Sequence, residues 1–317
     1  MFLVLEMFSA TVSPMLVMFL CILVGFILRK TKILPENAST VLSKLGVFVL
    51  LPARIVYSMI TNCTVESIMS QYRVVLYGTL ATGISVLIAV FLSRFFSKER
   101  DERAIYQYSL FTANYGYLGN AIVADIMGEQ ALYSYIFYTV PLSIAVYSWG
   151  FQTLIPEGKG PKKSLLVRLA KPPLIATVVG IALGLFGAGK WMPGFALTAV
   201  KNLANCMGPV SMILTGFVIG GYHIPSLLTN KKVYIATLLR VAVLPLTLVA
   251  ALWVCGADKT ILLLTMFMSG SALGLNTVVA PAAYGGDTHT GASMAMISHV
   301  CCIVSIPLLY ALLNYIL

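Results

Sequence analysis

Residues 112–121 read Thr-Ala-Asn-Tyr-Gly-Tyr-Leu-Gly-Asn-Ala and interrupt a long apolar stretch with two glycines and two asparagines. A second apolar stretch is interrupted at residues 269–281, which read Ser-Gly-Ser-Ala-Leu-Gly-Leu-Asn-Thr-Val-Val-Ala-Pro. Glycine and asparagine are poor helix formers, and proline lacks a backbone donor. Lipid cannot hydrogen-bond free backbone groups, so a break inside a membrane must be buried in protein or line a cavity. We therefore predict a pair of broken membrane helices.

The surrounding sequence is too apolar for a water-soluble fold. Of 317 residues, 59% are hydrophobic and 10% are charged, and the mean hydropathy is +0.92. Soluble domains carry roughly 25% charged residues, so the composition argues against soluble enzymes, secreted modules and nucleic-acid binders. The six cysteines form no CxxC pair, and HExxH, GxSxG, Walker and GxGxxG signatures are absent from the sequence. We expect no enzymatic activity, metal or cofactor.

Ten stretches approach the roughly 20 apolar residues that a membrane-spanning helix needs. These predicted spans 1–10 lie at 8–29, 39–61, 72–96, 104–128, 131–154, 170–188, 196–220, 232–255, 260–284 and 289–316.

The loops between the spans carry an asymmetric charge. The net charge is +10, and the loops on one side of the membrane contain fourteen Lys and Arg residues whereas the loops on the other side contain three. The fourteen are Arg29, Lys30, Lys32, Arg94, Lys98, Arg100, Arg103, Lys159, Lys162, Lys163, Arg168, Lys171, Lys231 and Lys232, and the three are Arg73, Lys190 and Lys259. By the positive-inside rule, we predict a multi-pass protein of the plasma membrane, with the basic loop in the cytoplasm and both termini on the outer side of the membrane.

Five spans per half is an odd number, so two halves that share a fold must be inverted in the membrane. We predict one all-α membrane domain with a first five-helix repeat at 1–155, a basic loop at 156–169 and a second, inverted repeat at 170–317. Three correspondences recur at an offset of 156 or 157 residues: Lys44 with Lys201, Pro52 with Pro209, and Gly119-Asn120 with Leu275-Asn276.

Paired interruptions in corresponding helices, here spans 4 and 9, point to the substrate site of a transporter. Free N–H groups at the start of each second half-helix carry partial positive charge. Acidic residues are almost absent from the span centres, so this arrangement suits a carboxylate better than a cation. The alternative is close helix packing by small residues. The predicted substrate-binding residues are Asn114, Tyr115, Gly116, Gly119, Asn120, Ser271, Asn276 and Thr277, and the predicted helix-break positions are Pro52, Pro209, Gly274 and Pro281.

Four ionisable residues within the spans are further candidates for charge or proton sites. Arg54 and Arg240 either raise the positive potential that an anion meets or bond free carbonyls near a proline, which is our interpretation of Arg240. Asp125 is either a proton or cation site or a residue near the outer membrane surface. His299 either relays protons or is a hydrogen-bonded packing residue.

Four segments resemble the auxin efflux carrier family, which includes bacterial malate and malonate permeases and plant PIN carriers. They are Leu51-Pro52-Ala53-Arg54-Ile55-Val56-Tyr57, Asn114-Tyr115-Gly116-Tyr117-Leu118-Gly119-Asn120, Asn276-Thr277 with Tyr284-Gly285-Gly286-Asp287, and Ser305-Ile306-Pro307-Leu308.

The resemblance implies a ten-helix inverted-repeat fold like that of the bile-acid/sodium symporters, with helices 4 and 9 crossing at the substrate site. It also implies a scaffold domain of spans 1, 2, 6 and 7 and a transport domain of spans 3–5 and 8–10. The family often has a proline after the glycine motif, where this chain has Asn120-Ala121. The break there must then depend on glycine and asparagine alone.

We therefore predict an elevator-like secondary active transporter of a small organic anion that works by alternating access, with proton coupling left open. One alternative is a ligand-sensing membrane receptor or scaffold that uses the same pocket. Another is a Na⁺-coupled bile-acid-type symporter, which needs Glu or Gln ion ligands beside the crossing. The expected partners are the anion and membrane lipid, without nucleic acid, and homodimer formation is left open.

Overall fold

The computed structural model describes residues 2–160 and 164–317, and in these ranges the chain is helical without a β-strand. The helices of the first half are α1 (Phe2–Lys30), α2 (Ala38–Leu45), α3 (Leu51–Asn62), α4 (Val65–Ser70), α5 (Tyr72–Phe96), α6 (Arg100–Phe111), α7 (Asn120–Met127), α8 (Glu129–Ala145) and α9 (Phe151–Thr153). Those of the second half are α10 (Leu165–Leu169), α11 (Pro172–Leu185), α12 (Ala188–Trp191), α13 (Gly194–Gly220), α14 (Ile224–Leu227), α15 (Lys231–Leu238), α16 (Leu244–Val254), α17 (Lys259–Gly270), α18 (Asn276–Ala282) and α19 (His289–Ile316).

The helices have the length and the outer surface of a membrane protein. On the outside of α5, Leu87 and Phe95 are 72% and 73% exposed, as suits contact with lipid rather than water. α11 and α17 are shorter apolar helices. The predicted class, an all-α membrane protein, is confirmed. Within the described ranges, six helical stretches are long and apolar enough to cross a membrane: Thr11–Lys30, Ala38–Asn62, Val65–Phe96, Gly194–Gly220, Lys231–Val254 and His289–Ile316.

π-Helical turns widen the helical backbone at several places. Two of them stand just before a proline, Pro52 in α3 and Pro245 in α16. Because proline has no N–H to donate to the preceding turn, the regular ladder is lost there. The first three turns contribute residues to the cavity described below. In the described part of the chain the π-turns are Gly46–Leu50, Tyr115–Gly119, Val146–Gly150 and Leu239–Val243.

Two sets of helices pack on either side of that cavity. The first bundle consists of α1, α3, α11 and α13, and the second consists of α5, α6, α7, α8, α16 and α17. Within the first bundle, a Cβ atom on Gly25 would overlap the carbonyl of Ile213, and one on Gly216 would overlap the carbonyl of Ile22. Glycine at these positions lets the backbones of α1 and α13 approach closely. α19 packs against α1 and α17 and so joins the two bundles.

Several predicted spans coincide with helices of the structure. The intervals 72–96, 196–220 and 289–316 match α5, α13 and α19 to within two residues. Each of the intervals 104–128 and 260–284 holds two separate helices, α6 with α7 and α17 with α18. In the predicted basic loop, Lys162 and Lys163 lie outside the described residues. The described part of that loop contains α10, which the sequence analysis did not predict.

Candidate functional site

The first interruption, residues 112–114, separates α6 from the π-turn that begins at Tyr115. The carbonyl of Asn114 accepts a hydrogen bond from the N–H of Gly119 at 2.9 Å, which closes the wide π-turn. A Cβ atom on Gly119 would overlap the hydroxyl of Tyr135, so a larger residue there would require the buried Tyr135 ring to shift. The glycine predicted at this position therefore acts by close packing against α8.

The second interruption, residues 271–275, separates α17 from α18. Ser271 ends α17 with an extended backbone, at φ −64° and ψ 154°. The freed N–H of Leu273 donates to the hydroxyl of Ser298 in α19 at 2.9 Å. A neighbouring helix thus supplies a partner for the non-helical backbone, as a buried break in a membrane requires.

The two interruptions contact each other through their backbones. The N–H of Asn114 donates to the carbonyl of Ala272 at 2.8 Å. A Cβ atom on Gly274 would lie 3.5 Å from the Cα of Asn114, so the two segments pass at ordinary van der Waals distance. The structure therefore brings together the predicted positions Asn114 and Gly274.

Arg240 joins the carboxyl ends of the two helices that precede the interruptions. Its Nη1 donates to the carbonyl of Ser109 in α6 at 2.9 Å, and its Nη2 donates to the carbonyl of Ser271 at 3.2 Å. The side chain is only 1% exposed. The carboxyl end of a helix is the negative end of its dipole, so a cation there is favourable. The structure supports the interpretation of Arg240 as a group that bonds free carbonyls.

A cavity of about 120 Å³ lies beside the contact between the interruptions. One water molecule needs roughly 10–15 Å³ of such volume, so the space admits a small organic molecule. Both bundles contribute to its wall. The lining residues are Ser43, Val47, Leu51, Ile55, Ala113, Asn114, Tyr115, Gly116, Tyr117, Asn120, Ile136, Thr139, Val140, Ser143, Tyr147, Pro173, Leu174, Thr177, Ser211, Leu214, Thr215, Gly274, Leu275, Asn276 and Val279.

Three side-chain amides face this cavity in different hydrogen-bonding states. The amide of Asn114 makes no hydrogen bond to any described residue, although the side chain is buried. The Nδ2 of Asn120 donates to the carbonyl of Gly116 at 2.8 Å, which leaves its buried Oδ1 without a partner in the described structure. The Nδ2 of Asn276 donates to the hydroxyl of Tyr108 at 2.8 Å. The site thus offers both donor and acceptor capacity.

The described residues of the wall include no Asp, Glu, Lys or Arg. Hydroxyl groups make up most of the remaining polar surface, and one pair, Tyr115 with Ser143, is hydrogen-bonded at 3.0 Å. Tyr115 was predicted from the sequence, but the hydroxyls on α8, such as those of Thr139 and Ser143, were not. Their signal was a polar residue every fourth position on one face of an apolar helix, as at Thr139, Ser143 and Tyr147.

Three predicted substrate-binding residues do not line the cavity: Gly119, Ser271 and Thr277. The hydroxyl of Ser271 donates to the carbonyl of Phe267 at 2.6 Å, and that of Thr277 donates to the carbonyl of Gly274 at 3.2 Å. Serine and threonine commonly bond the preceding helical turn in this way.

The predicted helix-break prolines lie in or next to helices that border the site. Pro52 stands at the start of α3, Pro209 lies within α13, and Pro281 lies in the last turn of α18.

Arg54 and Asp125 lie away from the cavity. Arg54 is buried in α3 and its Nη2 contacts Glu129 Oε1 at 2.8 Å, at the start of α8. Asp125 is near enough to both residues to interact electrostatically with them. The three residues form a small charged group that joins the two bundles.

His299 lies in α19, at a separate small cavity of about 10 Å³. Its Nδ1 contacts the carbonyl of Ala295 at 2.7 Å, and its Nε2 has no partner among the described residues. Apart from His299 and Cys302, the lining residues of this cavity are apolar: Met15, Met18, Phe19, Ile22, Leu118, Met212 and Ile303. The structure does not bring His299 to the larger cavity.

In an all-α membrane protein, a cavity at two contacting helix interruptions is typical of a transporter. Residues 10–310 match the family model described as membrane transport protein, and the chain belongs to this family of auxin efflux carriers and their relatives. The resemblance found in the sequence is confirmed.

Two archaeal relatives are described as uncharacterized transporters. The protein from Methanocaldococcus jannaschii is 26% identical over 269 residues, which cover 82% of this chain and 86% of the relative. The protein from Methanothermobacter thermautotrophicus is 23% identical over 216 residues, which cover 67% of this chain and 69% of the relative. Family and relatives thus agree on membrane transport.

Proposed function

We propose that this transporter is a secondary active carrier that moves a small organic anion, such as a carboxylate, through the cavity at the two interruptions. The observation that carries the proposal is the Asn114 amide, which is buried at the cavity and has no hydrogen-bond partner among the described residues. The amide atoms of Asn114 are not among the fully enclosed polar atoms without a partner, so they are accessible from the cavity. The Nδ2 is therefore available to donate to a bound carboxylate.

The charge around the cavity supports an anion over a cation. The described lining contains no carboxylate that would hold a cation. The helical backbone after the first interruption starts at Tyr115, and residues 114–117 border the cavity. Unpaired N–H groups at such a start favour negative charge. Asn114 and Asn276 are the proposed donors, while Asn120 presents an acceptor for a hydroxyl or a protonated acid.

The proposed architecture has ten membrane spans in two inverted repeats, 1–155 and 170–317, with a bile-acid/sodium symporter-like fold. In this proposal α6 with α7, and α17 with α18, are the halves of two broken spans that cross. The contact between Asn114 and Ala272 supports the crossing. The residue ranges of the helices support the count of ten, since α8 with α9 lies at predicted span 5 and α11 lies at predicted span 6.

The proposed mechanism is an elevator in the plasma membrane, with both termini outside and the basic loop in the cytoplasm. The first bundle corresponds to the implied scaffold and the second, with α18 and α19, to the moving transport domain. The cavity between the bundles supports this division, because its wall draws residues from both. Sliding of one bundle against the other would carry the anion across.

Uptake into proteoliposomes tests the proposal. We expect saturable uptake from a panel of radiolabelled mono- and dicarboxylates, and at least a tenfold loss in the variants Asn114→Ala and Asn120→Ala/Asn276→Ala. A tenfold loss corresponds to about 1.4 kcal/mol, the scale of one lost hydrogen bond. Uptake measured with and without a pH gradient reports whether transport is coupled to protons. Uptake measured with choline in place of Na⁺ tests the alternative that the protein is a sodium symporter.

Asn314→Ala is the matched control. The Nδ2 of Asn314 donates to the carbonyl of Tyr310, four residues back at 2.9 Å, as the Nδ2 of Asn120 does to Gly116, but Asn314 does not line the cavity. We expect the control to transport normally. Full activity of the asparagine variants would refute the site, and absence of uptake by folded wild-type protein would favour a sensor.

A further inference from the structure

A second cavity, of about 60 Å³, lies next to the larger one and has a different charge. Arg168 and Lys171 are in its wall, and its described lining has no Asp or Glu. The other lining residues are Tyr147, Phe151, Gln152, Ile155 and Tyr284. A small, partly enclosed space with cationic walls raises the local concentration of anions.

Tyr147 lines both cavities, so the two lie next to each other. It belongs to the π-turn Val146–Gly150, which packs closely against α6: a Cβ atom on Gly150 would overlap the ring of Phe111. On the far side, Tyr284 follows α18, the helix that starts with Asn276 at the main cavity. The two cavities are therefore neighbours that share the wall residue Tyr147.

Arg168 and Lys171 differ in whether a hydrogen bond holds the charged group in place. The Nη1 of Arg168 donates to the carbonyl of Ser148 at 3.2 Å, which holds the guanidinium at the wall. The ammonium of half-buried Lys171 has no hydrogen-bond or ion-pair partner among the described residues. A half-buried cation without a counter-ion favours a bound anion. Arg168 lies at the end of the basic loop and Lys171 two residues beyond the loop, on the side that the charge bias assigns to the cytoplasm.

We propose that this second cavity is an entry site for the transported anion, with Lys171 and Arg168 as its cationic ligands and Tyr147 as the side chain between it and the main cavity. The inference rests on the proposed function for the identity of the anion. The charge of the cavity is a separate property and is measured separately. Anions are thus expected to pass Lys171 before they reach Asn114.

The first measurement uses a thiol introduced by Gln152→Cys, in a protein whose exposed cysteines are replaced by Cys206→Ser and Cys255→Ser. The probes are two methanethiosulfonate reagents, one an anionic sulfonate and the other a cationic trimethylammonium. We expect the anionic reagent to react faster, and Lys171→Gln to lower the ratio of the two rates about tenfold. Lys171→Arg should preserve the ratio, and Lys190→Gln, at an exposed position in α12, should leave it unchanged.

The second measurement is carboxylate uptake. We expect Lys171→Gln to raise KM severalfold for substrate offered from the basic-loop side, without a change in Vmax. If the labelling ratio depends on Lys171 but no carboxylate is taken up, the proposal of carboxylate transport is refuted and the proposal that the second cavity attracts anions is retained. If uptake is observed but the labelling ratio is the same in Lys171→Gln as in the wild type, the proposed entry site is refuted and the proposed transport function is retained.

Discussion

Replacement of Arg240 tests whether a fixed cation holds the two interruptions together. The guanidinium donates to the carbonyls of Ser109 and Ser271 at 2.9 and 3.2 Å, so Arg240→Met removes both bonds while keeping a side chain of similar length. Each orphaned carbonyl is unfavourable by about 1–3 kcal/mol. Removal of the buried charge itself recovers part of this. We expect a net destabilisation of about 2–4 kcal/mol.

The loss should appear both in stability and in transport. At about 2 °C per kcal/mol for a chain of this length, the melting temperature in detergent should fall by roughly 4–8 °C. Carboxylate uptake should fall more than tenfold, because the contact between Asn114 and Ala272 depends on where α6 and α17 end.

Two further variants separate a positioning role from a general packing role. Arg240→Lys keeps the charge but not the fork that reaches two carbonyls, so it should recover stability in part. In Arg240→Ala, added guanidinium at millimolar concentration should restore some uptake, since the small cation can enter the space left by the side chain. Arg240→Met protein with wild-type melting temperature and uptake would refute the reasoning.

Two other predictions follow from single contacts. Gly119→Ala should reduce uptake at least tenfold, because its methyl group overlaps the hydroxyl of Tyr135, and Gly119→Ala/Tyr135→Phe should recover part of the loss in the same assay. Glu129→Gln removes an ion pair with Arg54 at 2.8 Å that joins the bundles. Since the pair is half exposed on the glutamate side, it contributes about 1 kcal/mol, and its loss should raise the initial uptake rate up to about fivefold. Uptake that is slower in Glu129→Gln than in the wild type would exclude the idea that the ion pair slows transport. Glu129→Asp is the charge-conserving control.

The interruptions could be predicted from sequence because their cause is local. Glycine and asparagine within residues 112–121, and glycine and proline within residues 269–281, weaken a helix in lipid. The breaks fall at residues 112–114 and 271–275, whereas Gly116, Gly119, Asn120 and Pro281 lie in helical turns. Asn114 and Asn276 could be predicted as cavity residues for the same reason, since a polar amide at a buried break needs a polar surrounding.

The partners of these residues could not be predicted, because they depend on tertiary packing. Asn120 was predicted as a substrate-binding residue, and in the structure one N–H of its amide donates to the carbonyl of Gly116 while the acceptor oxygen is left unpartnered among the described residues. The bonds from Arg240 join residues 131 and 31 positions away along the chain. Ser271 lies within an interruption, yet its hydroxyl donates to the carbonyl of Phe267 in the preceding helix. A position within an interruption was therefore not enough to predict a residue of the cavity.

The position of Arg240 also bears on which ions the carrier uses. Where half-helices cross in a transporter, their carbonyl ends commonly coordinate the coupling Na⁺, and their amino ends face the anionic substrate. Here the carbonyls of Ser109 and Ser271 at two such ends already accept from a guanidinium that cannot be deprotonated in a protein. A sodium ion at those carbonyls would have to displace a buried, hydrogen-bonded cation. The hydrogen bonds of Arg240 to these carbonyls therefore support the proposed anion carrier without Na⁺ coupling over the sodium symporter.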